Sequence, residues 1–203
     1  MREHANIEAL VTLQPDYIGF IFYPKSPRYA GDILKSHTTK NIPATIKKTG
    51  VFVNADNKTI TDIAKIHNLN AVQLHGEESP EQCRQLQAEG LEVIKAFKLT
   101  QASDLQATNA YHASCHFFLF DTPTRHYGGS GKKFDWSVLS HYKGNKPFFL
   151  SGGIGEEDIN AIIEKCPLKP YAVDINSRFE TEPGLKDIQS IQRFLASIKK
   201  FNF

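Results

Sequence analysis

Three polar side chains lie near the carboxyl ends of two short apolar segments. Gln73 and His75 are two residues apart in one segment, and Asp121 ends another. Alternate residues of a strand face the same side, so Gln73 and His75 share a face. Polar residues near a strand end are typical of the mouth of a parallel barrel, where active sites lie. This interpretation is favoured over a solvated strand end.

Two further segments could bind an anion. Gly152-Gly153 lies between an apolar segment and a helical pattern, and the N–H groups of such a turn can hold a phosphate. A plain tight turn explains this pair of glycines about as well. Asn176 and Ser177 follow the next apolar segment. Phosphate sites in parallel barrels are commonly built from the last two loops, which favours phosphate binding here.

Other residues have less certain roles. Arg28 could bind a substrate carboxylate through two parallel hydrogen bonds, although an ordinary surface arginine is more common. The segment 127–131, which contains Gly128 and Gly129, could close over a ligand or simply connect two elements. Lys95 lies inside an apolar segment and could form a Schiff base, but a buried ion pair or a snorkelling side chain is favoured.

Seven β-branched and aromatic segments must position these residues. Most are apolar until their last residues, as in parallel strands buried on both faces, and helical patterns alternate with them. The segments are 17–22, 49–54, 71–76, 93–98, 116–121, 147–152 and 171–176. A helix is predicted over 3–13 in front of the first strand, and Pro183-Gly184 is expected to separate the last strand from the last helix.

Strict alternation of strands and helices predicts a parallel sheet with right-handed crossovers. A doubly wound open sheet is the alternative, but no G-x-G-x-x-G follows the first strand. We therefore predict a (β/α)8 barrel in one domain, 1–203, with seven recognisable strands. The first strand of such a barrel is missing from this sequence.

Composition narrows the classes of function. The 203 residues carry 24 basic and 22 acidic side chains, so a net charge of +2 gives no support to a nucleic acid or a membrane surface as partner. The three cysteines are Cys83, Cys115 and Cys166, which are odd in number and lack metal-ligand spacing. We predict a cytoplasmic protein without a metal site and interpret Cys83 and Cys166 as packing residues.

Several segments occur in an order that resembles the phosphoribosylanthranilate isomerase family of tryptophan biosynthesis. They are 19–22 with 25–29, 50–54, 72–76, 94–97, 121 with 127–131, 134–136, 151–154 and 173–180. The similarity covers essentially the whole chain. The family usually has a serine where Asn176 stands and a glycine where Arg178 stands, which affects side chains at the phosphate but not the backbone turn.

This resemblance implies an Amadori rearrangement without cofactor. N-(5-phosphoribosyl)anthranilate becomes 1-(2-carboxyphenylamino)-1-deoxyribulose 5-phosphate. Asp121 matches the general acid, and Arg28 matches the arginine that holds the anthranilate carboxylate. The remaining candidates are substrate-binding Gln73, His75, Gly128 and Gly129 and phosphate-binding Gly152, Gly153, Asn176 and Ser177. A small-molecule substrate is the expected partner of a monomer or homodimer.

The general base of the family is a cysteine in a Lys-x-Cys-Gly segment that ends the first strand. Met1-Arg2-Glu3 resembles the residues that follow it, and no cysteine of this chain lies at a matching position. We expect Met1 to be an internal methionine and the upstream codons to encode a strand ending in Cys-Gly. The alternative is a genuine short form that is inactive or impaired.

Two other interpretations stay open. Another phosphosugar barrel, such as an indole-glycerol-phosphate synthase or a ribulose-phosphate epimerase, would account for the Gly152-Gly153 turn but not for 25–29 and 73–76 together. A barrel that binds a phosphate ligand without catalysis is the non-enzymatic alternative.

Overall fold

The computed structural model describes residues 1–121 and 136–199. The helices are α1 His4–Val11, α2 Ser36–Lys40, α3 Asn57–His67, α4 Pro80–Ala88, α5 Ile159–Lys165 and α6 Ile188–Lys199. The strands are β1 Tyr17–Ile21, β2 Lys47–Phe52, β3 Ala71–Leu74, β4 Glu92–Lys98, β5 Phe117–Asp121, β6 Phe148–Ser151, β7 Ala172–Val173, β8 Glu180–Glu182 and β9 Leu185–Lys186. Short 3-10 helices cover Ala102–Tyr111, Trp136–His141, Glu156–Asp158 and Ser177–Phe179.

The first seven strands form one parallel sheet in chain order, so all seven predicted strands are confirmed. In a flat sheet, β1 and β6 would lie about 24 Å apart. The ring centroids of Tyr17 on β1 and Phe149 on β6 are instead 5.1 Å apart. The sheet therefore curls until its two sides face each other, as a barrel requires. Among the described strands, β1 has β2 as its neighbour and β7 has β6, and Ile21 of β1 also forms an isolated parallel bridge with Tyr29.

The two faces of the curled sheet bury different apolar residues. Side chains on the concave face form a small cluster of Ile94, Ala96, Leu119 and Phe149, bordered by Tyr17, Phe117 and Ala172. The convex face and the helices form the larger core, with fully buried Phe20, Phe118 and Phe120. Alternate residues of each strand therefore point into the barrel. Those that lie at the carboxyl ends of the strands reach the mouth of the barrel.

Local sequence signals set the helix ends. Ser79 caps α4 by accepting a hydrogen bond from the Gln82 N–H at 3.2 Å, and Pro80 occupies the first helical position. Asp56 caps α3 in the same way through the Thr59 N–H at 2.7 Å. Asn68 ends α3 in the left-handed conformation, with φ 50°.

The end of the chain differs from the sequence-based expectation. The last parallel strand is limited to Ala172–Val173, because β6 offers only two register partners there. Pro183 and Gly184 do not simply separate a strand from a helix. They form the turn of an antiparallel hairpin, β8–β9, and Gly184 has φ 89°, which favours glycine. Helix α1 contacts both this hairpin and α6.

Lys95 forms the buried ion pair favoured by the sequence. Its Nζ lies 3.1 Å from Glu78 Oε2, and it also donates to the carbonyl oxygens of Leu74, Gly76 and Ala96. Both side chains are almost completely buried. A fully partnered ammonium has no free position for a carbonyl substrate, so the Schiff-base interpretation of Lys95 is not supported.

Candidate active site

Three predicted site residues are joined by hydrogen bonds at the mouth. Gln73 Nε2 lies 2.9 Å from His75 Nδ1, and His75 Nε2 lies 3.4 Å from Asp121 Oδ2. An amide nitrogen only donates, so Nδ1 accepts and the ring proton resides on Nε2, facing Asp121. The Asp121 and His75 side chains are each 32% exposed. His75 thus orients the Asp121 carboxyl group, and the exposed part of that group remains accessible to a ligand.

Asp174 lies beside this trio at the end of β7. Its carboxylate accepts a hydrogen bond of 3.2 Å from the Ser151 hydroxyl, and it interacts electrostatically with His75, Asp121 and Lys186. Removal from water raises the pKa of Asp174, although Lys186, His75 and Ser151 act in the opposite direction. The mouth therefore contains two neighbouring carboxyl groups, Asp121 and Asp174.

The raised pKa of Asp174 predicts a stability that depends on pH. The folded state binds this proton more tightly than the unfolded state, so the free energy of unfolding falls as pH rises from about 3.9 to the raised folded value. The cost of burying this charge is therefore larger at pH 8 than at pH 4. Asp174→Asn keeps an oxygen for Ser151 and should stabilise the protein at pH 8 by about 1 kcal/mol, or roughly 2–4 °C in Tm.

Urea unfolding of both proteins at pH 4 and pH 8 measures this effect. The gain from Asp174→Asn should shrink at pH 4, where the carboxyl group is protonated in a larger fraction of both states. A variant less stable than the parent by the same amount at both pH values would show that burial of this charge is not destabilising.

Arg28 reaches the mouth from the loop after β1. Its Nε donates to Glu180 Oε2 at 2.7 Å, and the side chain is 22% exposed. Among the described residues, its two terminal nitrogens have no hydrogen-bond partner. The forked end of the guanidinium is therefore available for a carboxylate.

The predicted phosphate turns lie at the ends of β6 and β7. Gly152 and Gly153 adopt φ of 110° and 60°, a backbone conformation that side chains disfavour. Asn176 follows β7, and its carbonyl and Oδ1 accept hydrogen bonds from Lys186 Nζ at 3.0 and 2.7 Å. Ser177 is exposed and begins a 3-10 helix. A lysine ammonium thus lies beside the turn predicted to bind phosphate.

Arg178, which replaces the usual glycine, also has a defined contact. Its Nη2 lies 2.5 Å from Glu157 Oε1, and both side chains are about half exposed. The pair connects the loop after β6 with the loop after β7. Arg178 therefore links the two segments that are predicted to bind phosphate.

Sequence reasoning did not assign roles to Glu180 and Lys186. Both lie in the β8–β9 hairpin, and only folding brings them to the mouth. The spacing of a glutamate and a lysine on either side of Pro183-Gly184 was the available signal, because facing residues of a hairpin share a side. Asp174 was not assigned a role from the sequence either, although it is two residues from Asn176 and so shares its strand face.

Neither Cys83 nor Cys115 is suited to act as a base at the mouth. Burial raises the pKa of Cys83 to about 11 and that of Cys115 to about 12. Burial also raises the pKa of Cys166, which follows α5. Gly128 and Gly129 lie outside the described residues.

The described residues contain neither a group of metal-ligating side chains nor a membrane-spanning helix. Over 1–121 and 136–199, no three or more His, Cys, Asp or Glu side chains are grouped so that they could hold a metal ion. None of the helices in these ranges is both long and apolar enough to cross a membrane.

Comparisons with known proteins place the chain in a family. The model of the N-(5'-phosphoribosyl)anthranilate (PRA) isomerase family matches residues 1–197. An N-(5'-phosphoribosyl)anthranilate isomerase from Phocaeicola vulgatus is 42% identical over 200 residues, which cover 98% of this chain and 95% of the relative.

Solved structures give the same result. The crystal structure of phosphoribosyl anthranilate isomerase from Thermotoga maritima superposes with a TM-score of 0.85 at 37% identity, covering 98% of this chain and 96% of the other. A second crystal structure of such an isomerase contains reduced 1-(o-carboxyphenylamino)-1-deoxyribulose 5-phosphate. It has a TM-score of 0.83 at 33% identity, covering 98% and 95%. The predicted (β/α)8 fold class is thereby confirmed, and the chain belongs to the N-(5'-phosphoribosyl)anthranilate isomerase family.

Proposed function

We propose that this barrel catalyses the Amadori rearrangement of N-(5'-phosphoribosyl)anthranilate in tryptophan biosynthesis. One observation carries the assignment to these residues: the mouth combines a carboxyl group, Asp121, with an arginine fork and a phosphate turn. The Arg28 fork and the Gly152-Gly153 turn match the two anionic ends of the substrate, a carboxylate and a phosphate. Asp121 belongs to the same mouth, where it can reach the sugar between them.

The reaction requires one acid and one base. Asp121 donates a proton to the ribose ring oxygen, the bond from that oxygen to C1 breaks, and a protonated Schiff base forms. A base then removes the proton from C2, and the electron pair of the C–H bond moves toward nitrogen to give an enolamine. Tautomerisation of the enolamine gives the ketone. The His75 N–H and Gln73 hold Asp121 in place for the first step.

The family pattern places the base on a cysteine, and the three thiols of this chain are not at a matching position. We propose that a thiol on a strand between β1 and β7 completes the pair. In the described structure β1 and β7 are not paired with each other, and the Met1 amine lies 3.4 Å from the carbonyl oxygen of Gly19 on β1.

Binding of the reduced product tests the site independently of turnover. Reduced 1-(o-carboxyphenylamino)-1-deoxyribulose 5-phosphate should bind the protein at least about tenfold more tightly than ribulose 5-phosphate, because only the former has the carboxyphenyl group for Arg28. Calorimetry gives both constants, and Arg28→Met should remove most of the difference. Equal affinity of the parent protein for both ligands would instead favour another phosphosugar barrel.

The expected partner is a small-molecule substrate. Assembly as a monomer or homodimer stays a prediction, which sedimentation equilibrium would test. Cytoplasmic location likewise stays a prediction of the cysteine pattern and the family resemblance.

A further inference from the structure

Glu180 is a buried carboxylate that the proposed chemistry does not use. Its side chain is 3% exposed, yet both of its oxygens are occupied. Oε2 accepts from Arg28 Nε at 2.7 Å, while Oε1 accepts from Lys186 Nζ at 3.1 Å and from the Gly184 N–H at 3.2 Å. All three donors belong to the protein itself, so the contacts of Glu180 point to a role in holding other groups in place.

The hairpin that carries Glu180 is itself fixed. Asn6 on α1 forms two hydrogen bonds of 2.8 Å with the backbone of Lys186, donating to its carbonyl oxygen and accepting from its N–H. This side chain replaces a neighbouring strand for β9. The turn at Gly184 closes the hairpin through the same Glu180 carboxylate. Helix α1 and the hairpin turn therefore both hold the segment that carries Glu180, independently of its contact with Arg28.

Charge balance explains why a carboxylate is needed at this position. Arg28 and Lys186 are both partly or largely withdrawn from water, with side chains 22% and 9% exposed. Burial lowers the pKa of the Lys186 ammonium, and Glu180 counteracts this effect. Without Glu180, two cations would share one wall of the mouth without a common counterion.

The contact with Arg28 also sets the direction of the guanidinium. Glu180 engages Nε, on the side of the fork, and leaves the end with Nη1 and Nη2 without a partner among the described residues. An arginine held at Nε can present this end to a carboxylate without first losing rotamer freedom. Lys186 donates both to the Glu180 carboxylate and to Asn176. Glu180 therefore lies between the Arg28 guanidinium and the turn that is predicted to bind phosphate.

We propose that Glu180 is a positioning residue that orients the guanidinium of Arg28 toward the carboxylate of the bound substrate. This inference rests on the proposed function, since it takes that carboxylate as the ligand of Arg28. Glu180 acts only through Arg28 and makes no contact with the reacting atoms. Its removal should therefore weaken recognition of the carboxylate and leave recognition of the rest of the ligand unchanged.

Two ligands that differ by one carboxyl group provide the test. They are reduced 1-(o-carboxyphenylamino)-1-deoxyribulose 5-phosphate and the analogue with a phenylamino group in its place. Glu180→Gln should weaken binding of the first by about tenfold, as expected for loss of a charged hydrogen bond, and change the second by less than about twofold. Arg28→Met should show the same selective loss, and the double variant should lose no more than Arg28→Met alone.

Glu81→Gln is the matched control, because Glu81 is exposed on α4 and its hydrogen-bond partners, Arg84 and Gln85, lie on the same helix. It should bind both ligands like the parent protein. Glu180→Asp guards against misfolding, since it retains the charge but withdraws the carboxylate from Arg28 by one methylene. It should show a smaller selective loss.

The possible outcomes are distinguishable. Equal weakening of both ligands by Glu180→Gln and Glu180→Asp, or no weakening, would overturn the positioning role while leaving the proposed function intact. Failure of the folded parent protein to prefer the carboxylated ligand would overturn the proposed function, and the inference with it.

Discussion

Replacing Asp121 with asparagine should lower kcat by about 10²–10⁴-fold, the usual contribution of a positioned general acid. Asparagine can still accept the hydrogen bond from His75 Nε2, so the geometry of the trio is retained while the transferable proton is lost. The loss of phosphoribosylanthranilate fluorescence measures turnover. The assay uses a chain extended at Met1 by a strand that ends in Cys-Gly, so that a base is present.

Binding separates an effect on catalysis from an effect on structure. The Asp121→Asn variant should bind reduced product within about threefold of the parent, because Asp121 acts on the ring oxygen during the reaction. A variant that kept full turnover would remove Asp121 from the mechanism. The neighbouring carboxyl group of Asp174 would then be the next acid to test.

Adding the strand itself should have an effect of similar size. A chain extended at Met1 by a family-like strand ending in Cys-Gly should turn over about 10²–10⁴-fold faster than the 203 residues alone, because it adds a base that can remove the C2 proton. It should also unfold at higher urea concentration, since the added strand would lie between β1 and β7, which are not paired with each other.

The matched control carries the same strand with alanine in place of its cysteine. This control should unfold at the same urea concentration as the extended chain but turn over as slowly as the 203 residues alone. The comparison separates the effect of strand pairing on stability from the effect of the thiol on proton transfer. Equal turnover with cysteine and alanine would show that the base lies among residues 1–203. His75 and Asp174 would then be the candidates, because both lie at the mouth.

The sequence alone determined the features that depend on neighbouring residues. The seven strands were predicted because each is a short apolar run, and the shared face of Gln73 and His75 follows from the two-residue period of a strand. The Ser79 cap was readable because its partner, the Gln82 N–H, is three residues away. Arg28 was a possible carboxylate ligand from the sequence, but only the family resemblance favoured that role over an ordinary surface arginine.

Only the tertiary structure decided how charges are arranged around these residues. Arg28 and Glu180 are 152 positions apart, and no local pattern relates them. Asp174 acquires its raised pKa from burial in a mouth that several strands build together. Desolvation and ion pairing depend on which atoms surround a group in three dimensions, whereas strand parity and capping depend on the covalent order of the chain. The sequence could therefore indicate the acid, the fork and the phosphate turn, but folding was needed to show what holds them in place.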